Sequence, residues 1–175
     1  MPTPSPPVTP SATPVPTPSP TATPGNGIAI DAGGQASGAW LADTDYSGGG
    51  RAGVFNGAID TSNVTNPAPQ AVYQTAHVGT AFSYTLPGLG AGTSHTVRLH
   101  FAEIHVHSQG QRVFSVNMTG TSQTLQDFDI VQQAGAAHKA IAVTFNNVVA
   151  DSYGDIVIAF KASVFHASVN GIEVL

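Results

Sequence analysis

The sequence predicts an all-β domain of the sandwich or barrel type that follows a proline-rich segment. Short apolar-alternating runs recur every 8–12 residues or so, a spacing typical of sandwiches and barrels. Turn residues such as Pro87-Gly88 and Thr119-Gly120 separate the runs. No stretch holds a helical period for more than two turns, except weakly at 132–139. About 150 residues remain after the proline-rich segment, the size of one domain with its own core.

The first 24 residues hold ten prolines, six threonines, three serines and no charged side chain. Proline fixes φ and lacks an N–H group, so neither a helix nor a sheet can form there. Residues 1–26 are therefore predicted to be an extended or disordered Pro/Thr/Ser-rich linker, and residues 27–175 the folded domain. Such linkers often join the modules of secreted proteins.

Residues 28–32 alternate as a first strand, and 35–70 are a long loop rich in glycine, asparagine and proline. Loops of that length in a small domain are usually functional or wrap its surface. Further strand-like runs are predicted at 72–75, 81–86, 95–107, 112–118, 124–131, 140–145, 155–160 and 168–175.

Composition excludes several classes of function. The chain has only five Lys and Arg residues and a formal net charge of −5, so it lacks the basic surface that nucleic acids or anionic membranes require. No apolar run is long enough to insert into a membrane as a helix. The absence of cysteine rules out disulfides. We find no G-x-S-x-G or H-E-x-x-H motif and no paired catalytic acids, so no enzymatic activity and no resident cofactor are predicted.

The run at 95–107 and its return at 112–118 combine a strong strand pattern with unusual polar chemistry. Alternation places Val97, Leu99 and Phe101 on one face, and that face ends in Glu103. An ionised Glu103 cannot lie in a dry interior without a partner, and Arg112 is predicted to pair with it across a hairpin turn. A functional alternative is that Glu103, His105 and His107 line a site, including a zinc or copper site.

Two weaker signals lie in the long loop. Asp43 and Asp45 carry carboxylates of the kind that calcium prefers, although acidic loop residues are more often simply solvated. Trp40 is the only tryptophan. It is either a core residue or a flat platform for a sugar ring.

Three stretches resemble the malectin domain family, of the bacterial type: YQTAHVGTAFSYTLPGLGAGTSHTVRLHFAEIHVHSQGQRVFSVNMTG, LQDFDIVQQAGAAHKAIAVTF and VNGIEVL. The IAIDAGG opening extends the resemblance from residue 28 to 175. It implies a jelly-roll β-sandwich of the galactose-binding-like type that binds carbohydrate without catalysis. It also implies a secreted or cell-surface protein with neighbouring modules.

The family's sugar contacts transfer unevenly onto this chain. Its first-loop aromatic falls on Tyr46, and a second aromatic falls on Val78, next to His77. Its Tyr-Phe pair falls on His105 and Val106, and its acidic residue falls near Phe165 and His166. The resemblance thus keeps the fold but alters the site. The predicted ligand-binding set is Trp40, Tyr46, Tyr73, His77, His105, Phe165 and His166. The ligand would be a poly- or oligosaccharide. The alternative is a structural or adhesive module that self-assembles and has lost the sugar site.

Overall fold

The computed structural model describes Met1 and residues 27–175. Residues 2–26, which make up nearly all of the predicted linker, lie outside the described residues, so the linker stays a prediction. The elements of the described part are β1 (Ile28–Asp31), β2 (Tyr46–Ser47), β3 (Gly50–Arg51), α1 (Gln70–Tyr73), β4 (His77–Gly79), β5 (Ala81–Leu86), β6 (Ser94–Ala102), β7 (Val113–Met118), β8 (Leu125–Phe128), α2 (Ile130–Ala134), β9 (Ala140–Val149), β10 (Ile156–Val164), β11 (Ala167–Val169) and β12 (Gly171–Val174).

These strands form three antiparallel sheets, which confirms the all-β prediction. A four-stranded sheet has the order β1-β12-β6-β9, and a five-stranded sheet has the order β2-β5-β10-β7-β8. A small third sheet, β11-β4-β3, lies at one end. Strand β5 alternates as expected: it buries Phe82, Tyr84 and Leu86 and exposes Ala81 and Thr85. In the part of the chain that is described, no helix is long and apolar enough to cross a membrane.

The main core lies between the two larger sheets. Strand β6 contributes Val97, Leu99 and Phe101, as its alternation predicted, and β7 faces it with Phe114 and Val116. All five side chains are at most 1% exposed. Burying aromatic and branched side chains stabilises a fold by about 1.5–3 kcal/mol each, so this layer carries much of the stability.

The predicted β6–β7 hairpin is wrong. Strand β6 pairs with β12 and β9, whereas β7 pairs with β10 and β8, so the two strands belong to opposite sheets. The segment between them, residues 103–112, crosses from one sheet to the other. Strand β6 also ends at Ala102, so His105 and His107 are not on its alternating face.

The long loop covers the outer face of the four-stranded sheet and forms a second core. Trp40, Ile59 and Tyr73 pack there against residues of the sheet such as Ala102 and Ala140. The Arg98 guanidinium ties the loop to the sheet by donating to the carbonyl oxygens of Thr65 and Asn66. The length of the loop is thus explained by the surface that it covers.

Two shorter predictions also differ from the structure. Residues 72–75 are predicted to be extended, but Val72 and Tyr73 belong to the helical turn α1, which buries both of these consecutive side chains, whereas a strand would point them to opposite faces. Residues 168–175 form two strands, because Asn170 leaves the ladder between them. Its side-chain oxygen accepts from the Ala102 N–H, and its amide nitrogen donates to the carbonyl oxygens of Tyr73 and Thr75.

Candidate functional site: a cavity on the rim

A cavity of about 360 Å³ opens where residues 103–112 cross between the sheets. We call it the rim cavity. Its lining combines small and apolar side chains with two histidines, one arginine and one aromatic ring: Ala52, Gly53, Val78, His105, Val106, Arg112, Phe165 and His166. A concave, largely apolar surface with a few polar groups is the usual form of a small-molecule site.

A buried ion pair forms the base of the rim cavity. Arg112 and Glu103 are 2% and 1% exposed, and the Arg112 Nε lies 2.5 Å from a Glu103 carboxylate oxygen. The other Glu103 oxygen accepts from the backbone N–H groups of His105 and Val106. Arg112 also donates to the carbonyl oxygen of His166. The pair therefore fixes both chain segments that border the cavity, instead of setting a hairpin register.

Phe165 is presented to solvent on top of this pair. Its side chain is 54% exposed, and its ring centre lies 5.0 Å from the Arg112 guanidinium carbon. Its φ of +60° lies in the left-handed region, which a bulky residue rarely adopts. Backbone strain of this kind costs on the order of 1–3 kcal/mol and clusters at functional sites. The His166 ring lies 4.4 Å away, so two rings mark this edge of the cavity.

The structure brings together three of the seven predicted ligand-binding residues. His105, Phe165 and His166 all line the rim cavity. Tyr46 is 47% exposed but does not line it, because its ring lies against the ring of His77, 4.6 Å away.

The other three predicted residues are buried, which corrects the expectation that they line a sugar site. Trp40 is 2% exposed and Tyr73 is 0% exposed, both in the second core. His77 is 0% exposed, and its ring nitrogens contact the Asp43 carboxylate at 2.8 Å and the Gly48 carbonyl oxygen at 3.0 Å. Their rings and polar atoms therefore make contacts inside the protein and not with a ligand at its surface.

Tyr73 belongs to a buried polar chain. Its hydroxyl lies 2.7 Å from His100 Nδ1, and His100 Nε2 lies 2.7 Å from the Glu173 carboxylate. Burial raises the pKa of Tyr73 to about 12, and burial is also the main cause that lowers the pKa of His100. Such a chain fixes the interior of the second core, because each buried polar group needs its partner.

The geometry does not favour the metal alternatives. Glu103 is engaged by Arg112 and by two backbone N–H groups, and His105 and His107 lie on an exposed turn. Asp43, the first of the two calcium candidates, accepts from the Tyr84 hydroxyl with one oxygen and contacts His77 with the other. Among residues 27–175 no group of three or more His, Asp or Glu side chains is placed to hold a metal ion.

The remaining wall of the rim cavity could hardly be predicted from the sequence. Val78 and Val106 fall where the resemblance implies aromatic side chains, and valine offers no stacking surface that would predict a sugar contact. Arg112 was assigned only a structural role, yet it also supports Phe165. Ala52 and Gly53 lie in the long loop, where neither pattern nor chemistry distinguishes them from their neighbours.

A second, smaller pocket of about 300 Å³ adjoins the same stretch of loop. We call it the Asp31 pocket. Asp31 lines it and is 2% exposed, and one of its oxygens accepts from the Thr75 hydroxyl at 2.7 Å. Gly34 lies so close that an added Cβ would come within 2.0 Å of the carboxylate. The pKa of Asp31 is raised to about 6, mainly by burial and in part by the neighbouring Asp43, while the hydrogen bond from Thr75 opposes the increase.

Asp31→Asn should stabilise the protein at neutral pH. The folded protein binds the Asp31 proton more tightly than the unfolded chain, whose pKa is near 3.8. Ionisation of Asp31 therefore costs stability as the pH rises from about 4 to 6, and this cost is fully present above pH 6. Asparagine removes the charge and keeps an acceptor for Thr75. Urea unfolding should show a gain of about 1–3 kcal/mol at pH 8 and little change at pH 4. An equal effect at both pH values would contradict this assignment.

Comparisons with known proteins agree with this fold. The chain matches the family model described as the malectin domain over residues 26–172. No curated protein matches it. Among solved structures, the ANXUR1 extracellular domain from Arabidopsis thaliana aligns with a TM-score of 0.68 and 20% identity, covering 84% of this chain and 47% of that one.

Two further structures share the fold. One shows the plant peptide RALF23 in complex with FER and LLG2, with a TM-score of 0.61, 18% identity and coverage of 84% and 47%. The other is a Bacteroides uniformis beta-glucuronidase, with a TM-score of 0.64, 16% identity and coverage of 85% and 18%. The chain thus spans about half the length of the plant ectodomain structure that it matches. Identities this low support the fold alone.

Proposed function

Because this chain belongs to the malectin domain family, we propose that it is a non-catalytic carbohydrate-binding module that holds a glycan at the rim cavity. The observation that carries the proposal is Phe165, an exposed ring in a strained backbone conformation above a buried arginine. Backbone strain at this residue is difficult to attribute to packing alone, because 54% of the Phe165 side chain stays exposed to solvent.

The chemistry of the cavity suits a sugar ring. The C–H faces of a pyranose pack on flat aromatic surfaces, and the exposed Phe165 ring offers such a surface, with the His166 ring beside it at an angle of 44°. Val78 and Val106 provide apolar wall, whereas His105 provides ring nitrogens for hydroxyl groups. The single guanidinium faces a carboxylate, so the site carries little net charge and favours a neutral glycan.

The test is retention of the full chain on immobilised glucans, galactans and xylans. We expect retention on at least one of these glycans, and Phe165→Asn should reduce it at least tenfold. Asparagine tolerates the left-handed conformation at this position, so the substitution removes the ring without adding backbone strain.

The matched control is Tyr153→Asn, which removes a ring that is 87% exposed on a different turn. This variant should be retained like the parent chain. The proposal fails if no glycan retains the parent chain, or if Phe165→Asn is retained as strongly as Tyr153→Asn.

The alternative function is a structural or adhesive module that self-assembles and has lost the sugar site. Leu41 and Val54 are 50% and 60% exposed, which is the observation that favours it. Self-assembly would appear as concentration-dependent mass in analytical ultracentrifugation, and Val54→Asp would abolish it. A chain that is monomeric at all concentrations and retained on a glycan excludes this alternative.

We further propose that the module works outside the cell as part of a bacterial surface or secreted protein. The Pro/Thr-rich residues 1–26 would separate it from neighbouring modules. The extracellular domain among its structural neighbours supports this setting.

A further inference from the structure

We propose that the Asp31 pocket is a second ligand site, which takes one neutral pyranose unit. The pocket shares no lining residue with the rim cavity. Residues 51–54 form a wall between the two. Arg51 and Val54 line the Asp31 pocket, whereas Ala52 and Gly53 line the rim cavity. The inference therefore does not depend on glycan binding at the rim.

The first support is the state of the Asp31 carboxylate. Its side chain is almost fully buried yet faces a pocket. Within the described chain, the Thr75 hydroxyl is the one hydrogen-bond donor to the carboxylate, and it uses only one of the two oxygens. Buried carboxylates are usually satisfied by several donors or by a cation. The raised pKa shows that the protein bears a cost for keeping an acid at this position. A donor from a ligand would offset that cost.

The second support is the mixture of donors and acceptors around Asp31. The Arg51 side chain donates from Nε to the Gly33 carbonyl oxygen at 2.6 Å, which holds the guanidinium at the mouth of the pocket. Its two terminal nitrogens lie 2.7 and 3.2 Å from the Gln35 amide oxygen, in the amide orientation that the hydrogen bonds require. Each terminal nitrogen carries a second N–H that remains available to a ligand.

Two more polar groups complete the lining. The Gln74 amide nitrogen donates to the Gly57 carbonyl oxygen at 2.8 Å, which fixes the side chain and leaves its oxygen as an acceptor. Ser37 uses both its backbone groups on Trp40, so its position is fixed while its hydroxyl stays free among the described residues. The Gln74 side chain and the Ser37 backbone are thus held in place by hydrogen bonds that leave an amide oxygen and a hydroxyl group available to a ligand.

This arrangement selects the ligand by charge and by hydrogen bonding. The pocket holds one acid and one base, so an anionic ligand would face Asp31 and a cationic ligand would face Arg51. A hydroxyl group both donates and accepts, so several hydroxyls on one ring can satisfy the carboxylate, the guanidinium and the amide together. A volume of about 300 Å³ lies at the lower end of small-molecule sites and suits a single ring.

The experiment is an NMR titration of the ¹⁵N-labelled full chain with the methyl β-pyranosides of glucose, galactose, mannose and xylose. At least one of them should shift the amide signals of Asp31, Ser37, Arg51 and Gln74 in a saturable way. Ala36→Trp, which fills the pocket from an exposed lining position, should weaken that binding at least tenfold. Ala91→Trp, at an exposed position outside both cavities, should leave it unchanged.

The two sites are separated by their own variants. Phe165→Asn should leave the shifts around Asp31 intact, even if it abolishes glycan retention at the rim. If Ala36→Trp changes the unfolding midpoint, Ser37→Ala takes its place and should weaken binding severalfold. The inference is overturned if none of the four pyranosides shifts these signals, or if the shifts persist at equal strength when the pocket is filled.

Discussion

Replacing Arg112 by alanine should destabilise the protein by about 3–5 kcal/mol, because the substitution leaves Glu103 as a buried charge without its partner. Both side chains are at most 2% exposed, and three hydrogen bonds of the guanidinium are lost together. Breaking a buried pair by removing one member costs far more than the pair itself contributes. Urea unfolding at pH 7 measures the effect.

The matched control is Lys139→Ala. Lys139 approaches Asp60 at 3.8 Å, and the two side chains are 27% and 52% exposed. An ion pair in that setting contributes only about 0–1 kcal/mol. A loss of stability below about 1 kcal/mol for Arg112→Ala would mean that the Glu103–Arg112 pair is solvated in solution. The pair would then not form a buried base of the rim cavity.

Trp40→Ala should also cost about 3–5 kcal/mol, the usual loss for truncating a large buried aromatic side chain. Trp40 packs beside Gly171 so closely that a Cβ on this glycine would lie 2.8 Å from the indole ring. The indole ring also packs edge-on against the His100 ring, with centres 5.5 Å apart. Thermal or urea unfolding measures the loss of stability.

Two controls separate packing from ligand contact. Trp40→Phe should cost less than Trp40→Ala, because it keeps an aromatic ring and removes an indole N–H that is buried without a partner among the described residues. Tyr46→Ala removes an exposed ring and should stay within about 1 kcal/mol of the parent. If Trp40→Ala is as stable as the parent but loses glycan retention, Trp40 is a platform and not a core residue.

The strand pattern was predictable because alternation is a local property of the sequence. In β6, Val97, Leu99 and Phe101 face the core as their spacing indicates. The partner of a strand is not local, which is why the sequence suggested a hairpin where the chain crosses to the opposite sheet. Glu103 and Arg112 meet in either arrangement, so their pairing could be predicted although its structural role could not.

The candidate site was harder to predict than the fold. Trp40 and Tyr73 lie in or beside a loop without periodicity, so nothing in the sequence shows that they face the second core. His77 precedes Val78 on β4, and alternation puts one inside and the other at the rim cavity. The family resemblance pointed to one end of the molecule, and three of the residues that it indicated, His105, Phe165 and His166, meet there.

The central claim is that the rim cavity binds a glycan, and ligand-induced shifts at named residues test it most directly. The ¹⁵N-labelled full chain would be titrated with soluble α- and β-linked glucose disaccharides and with oligosaccharides of any glycan that retains it. We expect saturable shifts at Val78, His105, Val106 and His166, and their loss in Phe165→Asn. Shifts confined to residues outside the rim cavity, or no shift with any of these ligands, would contradict the claim.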